Sequence, residues 1–331
     1  MRSYTTSFAN APQCEVLMRR HQVISAIALS SLASLAPHLL RAQTLEKVRF
    51  CGVPTDDLAP VYWGIKEGLY RKAGLDLEFI PTASGTAATT AVIAGAYELG
   101  KGSTIAAFIA HLKGVPIVLI GSGVLWETDN PWSLGIVASD STAKTGEDLN
   151  GQIVSAAALN DLSSLAINVW VDKNGGDSKT LKWVEIPNSA AGAAVAVHRT
   201  ASCQLNEPQL TAAVESGKVR VLAPFLGAIG NSYVLTAYFT RPDFAKKNPG
   251  IVEKFVRTTY ESAMYTNAHP NDTAPLVAER TKIPLAVIQK MTRAHTATST
   301  DPAMHQPVID VAAKYGQIGR SFPAKDIFLS A

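Results

Sequence analysis

The chain from Val48 onward predicts an α/β fold, and three observations carry that expectation. Short apolar runs alternate with longer segments of helical period, the pattern of strands followed by covering helices. The 331 residues are 47% hydrophobic and only 17% charged, which suffices for substantial cores and excludes a disordered or collagen-like chain. Helix ends carry recognisable chemistry: Asn174-Gly175-Gly176 and Ser216-Gly217 offer left-handed closures, and Asn248-Pro249 and Asp301-Pro302 offer openings.

Taken in order, strands are expected over 48–53, 75–80, 97–100, 116–121, 134–138, 153–157, 183–186, 203–205, 219–223 and 233–239. Their alternation with helices argues for parallel sheets. Helices are expected over 162–173 and 208–215. After Phe239 the texture is helical only, with one helix from Asn248 to about Asn267 and another from Asp301 to Tyr315, closed by Gly316. A helical tail following two α/β halves predicts a chain that builds one lobe, crosses to a second and returns. The crossings are placed near 130–134 and 231–238, and two crossings between α/β lobes make a hinge with a cleft. Lobe 1 would comprise 43–132 and 237–331, and lobe 2 would comprise 133–236.

At the front, Met18-Arg19-Arg20 precedes an apolar run from Val23 to Leu40 and then Leu40-Arg41-Ala42, the order of a secretory signal peptide. Residues 1–42 are expected to be removed, with translation starting at Met18 and the soluble product starting at Gln43 in the periplasm. The net charge of +3 equals the excess of Arg2, Arg19, Arg20 and Arg41 over Glu15 within that segment, so the remainder is neutral. A neutral body gives no electrostatic reason to expect nucleic acid. Cys51 and Cys203 lie far apart in strand-like runs and are expected as buried free thiols, with no metal site.

In open α/β sheets a ligand lies beyond the carboxyl ends of strands. That rule selects the loop from Thr55 through Asp56 and Asp57 to Tyr62, the helix start at Ser84, Gly85 and Thr86, and Lys101-Gly102-Ser103-Thr104. The second half contributes Asn160-Asp161-Leu162-Ser163-Ser164. Small side chains and free amides at such starts attract carboxylate, sulfonate or phosphate oxygens, although Ser, Thr and Asn there also serve as ordinary caps. Trp126 and Trp132 bracket the first crossing; an aromatic there could close over a ring, or Trp132 could pack at the lobe boundary. Glu207, after a strand, points into the cleft or complements a helix dipole.

Catalytic signatures are scarce: G-x-S-x-G, H-E-x-x-H, a Walker loop and C-x-x-C are all missing from the sequence. Asp56-Asp57 could be a carboxylate pair for acid/base work, but adjacent loop residues need not face each other, so caps or ligand acceptors are expected instead. His111, His198, His269, His295 and His305 show no metal-ligand spacing.

The segment V-P-T-D-D-L-A-P-V-Y-W-G-I-K-E-G-L-Y-R-K-A-G-L-D-L-E-F resembles the opening of solute-binding proteins of the nitrate/sulfonate/taurine and thiamine-precursor (NMT1/THI5-like) class of ABC importers. A-S-G-T-A-A-T-T-A-V-I-A-G-A-Y-E-L-G, K-T-G-E-D-L-N-G-Q-I-V-S, N-E-P and the stretch from Asp301 to Phe328 are similar to further elements of that class. The resemblance spans Val48 to Phe328. It implies a type II periplasmic binding fold, two lobes joined by two crossovers, closing on a small molecule that is passed to a membrane permease and its ATPase. A monomer without cofactor is expected, and two cysteines in separate strands together with an export signal argue against an enzyme. By position, its pocket would draw on Thr55 to Tyr62, Ser84 to Thr86, Gly102 to Thr104, Asn160 to Ser164, and Glu207. The chain departs from the family at Glu98 and at His198-Arg199-Thr200-Ala201-Ser202. A sulfonate, an aromatic acid or a pyrimidine-like compound is the expected ligand. The rival is an enzyme on the same bilobal fold, a thiamine-pyrimidine synthase or a small-acid lyase.

Overall fold

A computed structural model describes residues 45–159 and 161–329. The expectations for the signal segment, for a start at Met18 or Gln43, and for Asn160 lie outside the described residues. Two five-stranded sheets and a two-stranded ribbon organise the rest. The first sheet has the order β2-β1-β3-β12-β4, built from β1 (Glu46–Gly52), β2 (Leu75–Pro81), β3 (Leu99–Ser103), β4 (Val118–Ser122) and β12 (Thr236–Thr240). The second has the order β10-β6-β9-β7-β8, from β6 (Ser133–Ala138), β7 (Ile153–Ala156), β8 (Lys182–Glu185), β9 (Ser202–Asn206) and β10 (Val219–Ala223). Between them in sequence, β5 (Leu125–Glu127) pairs antiparallel with β11 (Ser232–Val234), so both crossings run through one ribbon.

The sheets are mixed rather than parallel, which corrects the expectation from the alternating texture. β1 runs parallel to β2 and β3, but β12 is antiparallel to both β3 and β4. In the second sheet β7 runs parallel to β8 and β9, while β6 is antiparallel to β9 and β10. The reversed strands β6 and β12 are the ones reached directly from the crossings, and apolar patterning carries no information about strand direction. The run expected over 233–239 is broken at Leu235, where the chain changes partner from the ribbon to the first sheet. There the Leu235 amide donates to the Val124 carbonyl at 2.9 Å. The strand expected over 97–100 lies at 99–103, so Lys101, Gly102 and Ser103 belong to β3 and not to a loop.

Helix chemistry follows the sequence closely. Gly175, Gly217 and Gly316 adopt φ of +85°, +70° and +70°, the left-handed conformation that closes a helix and that a Cβ disfavours. Asp301 caps the following turn by accepting from Ala303 N at 2.9 Å. That turn is a 3-10 segment, Pro302–His305, leading into the helix Gln306–Lys314. Asn248 does not cap the helix Pro249–Ala268; its amide donates back to the Phe244 carbonyl instead. Phe50 on β1 packs against Phe79, Tyr238 and Phe255, which locks that helix onto the first sheet. Cys51 and Cys203 are free and buried, and burial pushes both thiols up to about 12. Among the described residues no helix is long and apolar enough to cross a membrane.

β3 is buried along its whole length because it carries two glycines. A Cβ on Gly102 would lie 2.8 Å from the Gly85 Cα, and one on Gly85 would lie 2.5 Å from the Ser103 amide. The helix Gly85–Ile93 therefore meets the end of β3 backbone to backbone. Gly102→Ala is expected to destabilise the protein by about 1–3 kcal/mol, since the obstructing atoms are main chain and cannot rotate away. Urea unfolding of variant and parent measures the loss; an unchanged midpoint would contradict the close approach.

Candidate functional site

The carboxyl ends of β1, β2 and β3 and those of β7, β8 and β9 converge on one cavity of about 90 Å³. Val53, Thr55, Asp57 and Leu58 follow β1, Ala83, Ser84 and Gly85 follow β2, and Lys101, Gly102 and Ser103 end β3. The second sheet contributes Ala157, Asp161, Leu162, Ser163, Asn188, Gln204 and Asn206. Trp132 and Leu226 complete the wall, and Leu235 and Thr236 come from the return crossing. A water needs roughly 10–15 Å³ of such space, so the cavity suits a single-ring or short-chain solute.

The wall formed by the first sheet rests on a buried ion pair. Lys101 Nζ bonds Asp57 Oδ2, and the two side chains are 4% and 5% exposed. Thr55 Oγ1 donates to the other carboxylate oxygen, Asp57 Oδ1. Burial pushes the Lys101 ammonium below its ordinary pKa, while Asp57 opposes that shift. The neighbouring Asp56 faces elsewhere: Oδ1 accepts from Arg293 Nε at 2.8 Å and Oδ2 from the Ala294 amide at 2.7 Å. Burial raises the Asp56 carboxyl and Arg293 opposes it. The adjacent aspartates thus serve two different cations and do not form an acid/base pair.

Across the cavity, Asp161 opens the helix Leu162–Lys173, its Oδ1 accepting from the Leu162 amide at 2.6 Å. Leu162 N also donates to Ser103 Oγ at 3.2 Å. Burial raises the Asp161 carboxyl from its ordinary pKa, and the Leu162 amide opposes that shift. Deeper in the wall, Gln204 and Asn206 stand two apart on β9 and so share a face. Gln204 Nε2 donates to Ser133 Oγ at 2.9 Å, and Ser133 Oγ donates to Asn206 Oδ1 at 2.6 Å. Among the described residues, the buried atoms Gln204 Oε1 and Ser163 Oγ have no hydrogen-bond partner.

Of the residues singled out from the sequence, the cavity brings together Thr55, Asp57, Ser84, Gly85, Ser103, Leu162 and Ser163. Ser84 also caps its helix, accepting from the Ala87 amide at 3.1 Å. Asp56, Tyr62, Thr86, Thr104, Trp126, Ser164 and Glu207 do not line it. Tyr62 is buried against the edge of Phe79, and Thr104 and Trp126 are fully buried in the first sheet's helix layer and in the ribbon. The Ser164 hydroxyl is engaged by the Leu159 and Asp161 carbonyls. Glu207 accepts from the amide and hydroxyl of Thr211, at 3.0 and 2.8 Å, within the start of the helix Gln209–Glu215. The two family departures also have plain partners: Glu98 pairs with Arg49 and His198 with Asp140.

Sequence reasoning did not single out Asn188, Gln204 and Asn206 as lining residues, whereas Asp161 falls within the loop 160–164 that it did select. The alternation of Gln204 and Asn206 on a strand was the available signal for two of them, since amides inside a buried strand need partners.

Removing one member of the buried pair leaves the other charge without compensation. Lys101→Met is expected to cost about 3–5 kcal/mol, and combining it with Asp57→Asn to restore part of that loss, as measured by a double-mutant cycle in urea. Glu207 supplies a pH signature. Burial raises its carboxyl from 4.5 to about 7, the Thr211 hydrogen bonds oppose that, and Asp56 adds to it. Between those values the folded protein keeps a proton that the unfolded chain has released, so this group's contribution to stability falls as pH rises from 4.5 through about 7. Glu207→Gln should flatten that part of the curve, seen as a smaller difference between urea midpoints at about pH 5 and about pH 8 than in the parent.

Comparison with known proteins identifies the scaffold. No curated protein matches the sequence. Among solved structures, the periplasmic aliphatic sulphonate binding protein SsuA from Escherichia coli is similar at 18% identity and a TM-score of 0.67, covering 86% of this chain and 92% of that one. The periplasmic nitrate-binding protein NrtA from Synechocystis PCC 6803 is similar at 15% identity and a TM-score of 0.72, covering 86% and 85%. A conserved Candida albicans gene product with the generic periplasmic binding protein fold is similar at 12% identity and a TM-score of 0.67, covering 85% and 93%. These likenesses show the bilobal fold. A family model described as NMT1/THI5 like matches residues 55–273, more than half of the chain, and the protein belongs to that family.

Proposed function

We propose that this protein is the extracytoplasmic solute-binding component of an ABC importer, which captures a small organic solute between two lobes and passes it to a permease. The observation that carries this reading is the convergence of six strand ends from two separate sheets on one small cavity, with both crossings gathered in a single ribbon. A ribbon of two short strands is a natural pivot, because bending it disturbs neither sheet. The lobes proposed are 43–132 with 237–331, and 133–236. Residues 1–42 would direct export to the periplasm and be removed.

Binding residues proposed from the first lobe are Thr55, Asp57, Ser84, Gly85 and Ser103, and from the second Leu162 and Ser163. The groups that would do acid/base chemistry elsewhere are engaged: Asp57 by Lys101 and Asp56 by Arg293. That supports capture without turnover. A solute held only by the folded protein raises its melting temperature by mass action. A panel of sulfonates, aromatic acids, pyrimidines and nitrate is expected to contain at least one member that shifts melting in a concentration-dependent way. Turnover of a panel member would sink the assignment.

A further inference from the structure

Two features of the cavity wall, a cation already spent and a buried carbonyl oxygen without a partner among the described residues, bear on what the site accepts. Lys101 is the one cationic side chain among the described lining residues, and its charge is spent on Asp57. An incoming anion would therefore meet a neutral pair and not a free ammonium. The start of the helix Leu162–Lys173 would otherwise attract an anion through its amides, but the chain places its own Asp161 carboxyl there. A second anion would have to displace that carboxyl or share the helix start with it.

The acceptor side is the reverse. Gln204 is 5% exposed, and its Nε2 is anchored on Ser133, which leaves Oε1 buried at the cavity wall with no partner among the described residues. Ser133 in turn donates to Asn206 Oδ1 and so turns the Asn206 amide with its oxygen engaged. A buried carbonyl without a donor is destabilising, and a ligand N–H is the group that relieves it.

Resting on the solute-binding reading above, we infer that this site selects an uncharged or cationic solute bearing N–H donors, of carboxamide, amidine or amino-heterocycle type, and discriminates against sulfonates, carboxylates and nitrate. Gln204 and Asp161 are the specificity-determining residues, acting as the acceptors that such a donor meets and a free anion does not.

The test compares matched solutes on the purified protein by calorimetric titration at neutral pH. Benzamide, benzamidine and benzoate share one skeleton, as do nicotinamide and nicotinate, with ethanesulfonate and nitrate as further anions. The amide or amidine of a set is expected to bind at least about tenfold tighter than its carboxylate, because a site with an unpaired acceptor rejects a ligand that lacks the donor. Gln204→Leu should remove about tenfold of that preference. Asp161→Asn, which keeps a helix-capping side chain, should narrow the gap by improving carboxylate binding. Melting curves of both variants check that they fold.

A carboxylate, ethanesulfonate or nitrate that binds more tightly than its donor-bearing counterpart would overturn the specificity and leave the solute-binding role standing. A preference unchanged by both substitutions would overturn the roles of Gln204 and Asp161. If no solute in this set or in the broader panel bound at millimolar concentration, the solute-binding role itself would fall.

Discussion

A lysine and an aspartate held out of water against each other set the terms for this cleft. Lys101 stands on β3 and Asp57 on the 3-10 turn after β1, two neighbouring strands of the first sheet. Neither charge is tolerable there alone, because desolvation of an unpaired ion exceeds what scattered hydrogen bonds return. The pair therefore fastens the turn after β1 to the end of β3, and Thr55 holds the remaining carboxylate oxygen. The wall that results carries a strong local dipole but no net charge, so the residues of the second sheet decide the sign of the field in the cavity.

The adjacent Asp56 performs a different task with the same chemistry. In a 3-10 turn, successive side chains point about 120° apart, so Asp56 leaves the cavity as Asp57 enters it. Asp56 reaches Arg293, whose guanidinium also bonds Thr273 and the Pro270 carbonyl, and so ties the turn to the helical tail. One short turn thus connects the cavity wall to the segment that packs behind it. The ribbon of β5 and β11 supplies the complementary freedom, since among the described residues it is where both crossings pass from one sheet to the other.

Much of the fold was legible in the residues. Strand positions followed from apolar runs, and helix ends followed from Gly175, Gly217, Gly316 and Asp301, because left-handed glycines and capping carboxylates act within a few residues of themselves. Strand direction was not legible, and neither was the break at Leu235, because both depend on partners distant in sequence. The loops that line the cavity follow from the rule that ligands sit at carboxyl strand ends, yet within those loops the side chains that face the cavity were not separable from those that face the core. Tyr62 and Trp126 had the chemistry of ligand contacts and became packing. Gln204 had the chemistry of an ordinary strand residue and became an unpartnered acceptor in the wall.

By itself the sequence determined the alternating α/β pattern, the capping and turn chemistry, and the family to which these residues belong, all of which are written in local spacing. Only the tertiary structure decided that Lys101 would be neutralised by Asp57, that Asp161 would occupy the start of the helix Leu162–Lys173, and that Ser133 would orient the amides of Gln204 and Asn206. The reason is physical: the charge and hydrogen-bond balance of a buried cavity is a property of groups that meet through space, and residues 57, 101, 133, 161 and 204 meet only after two sheets and their crossings have formed.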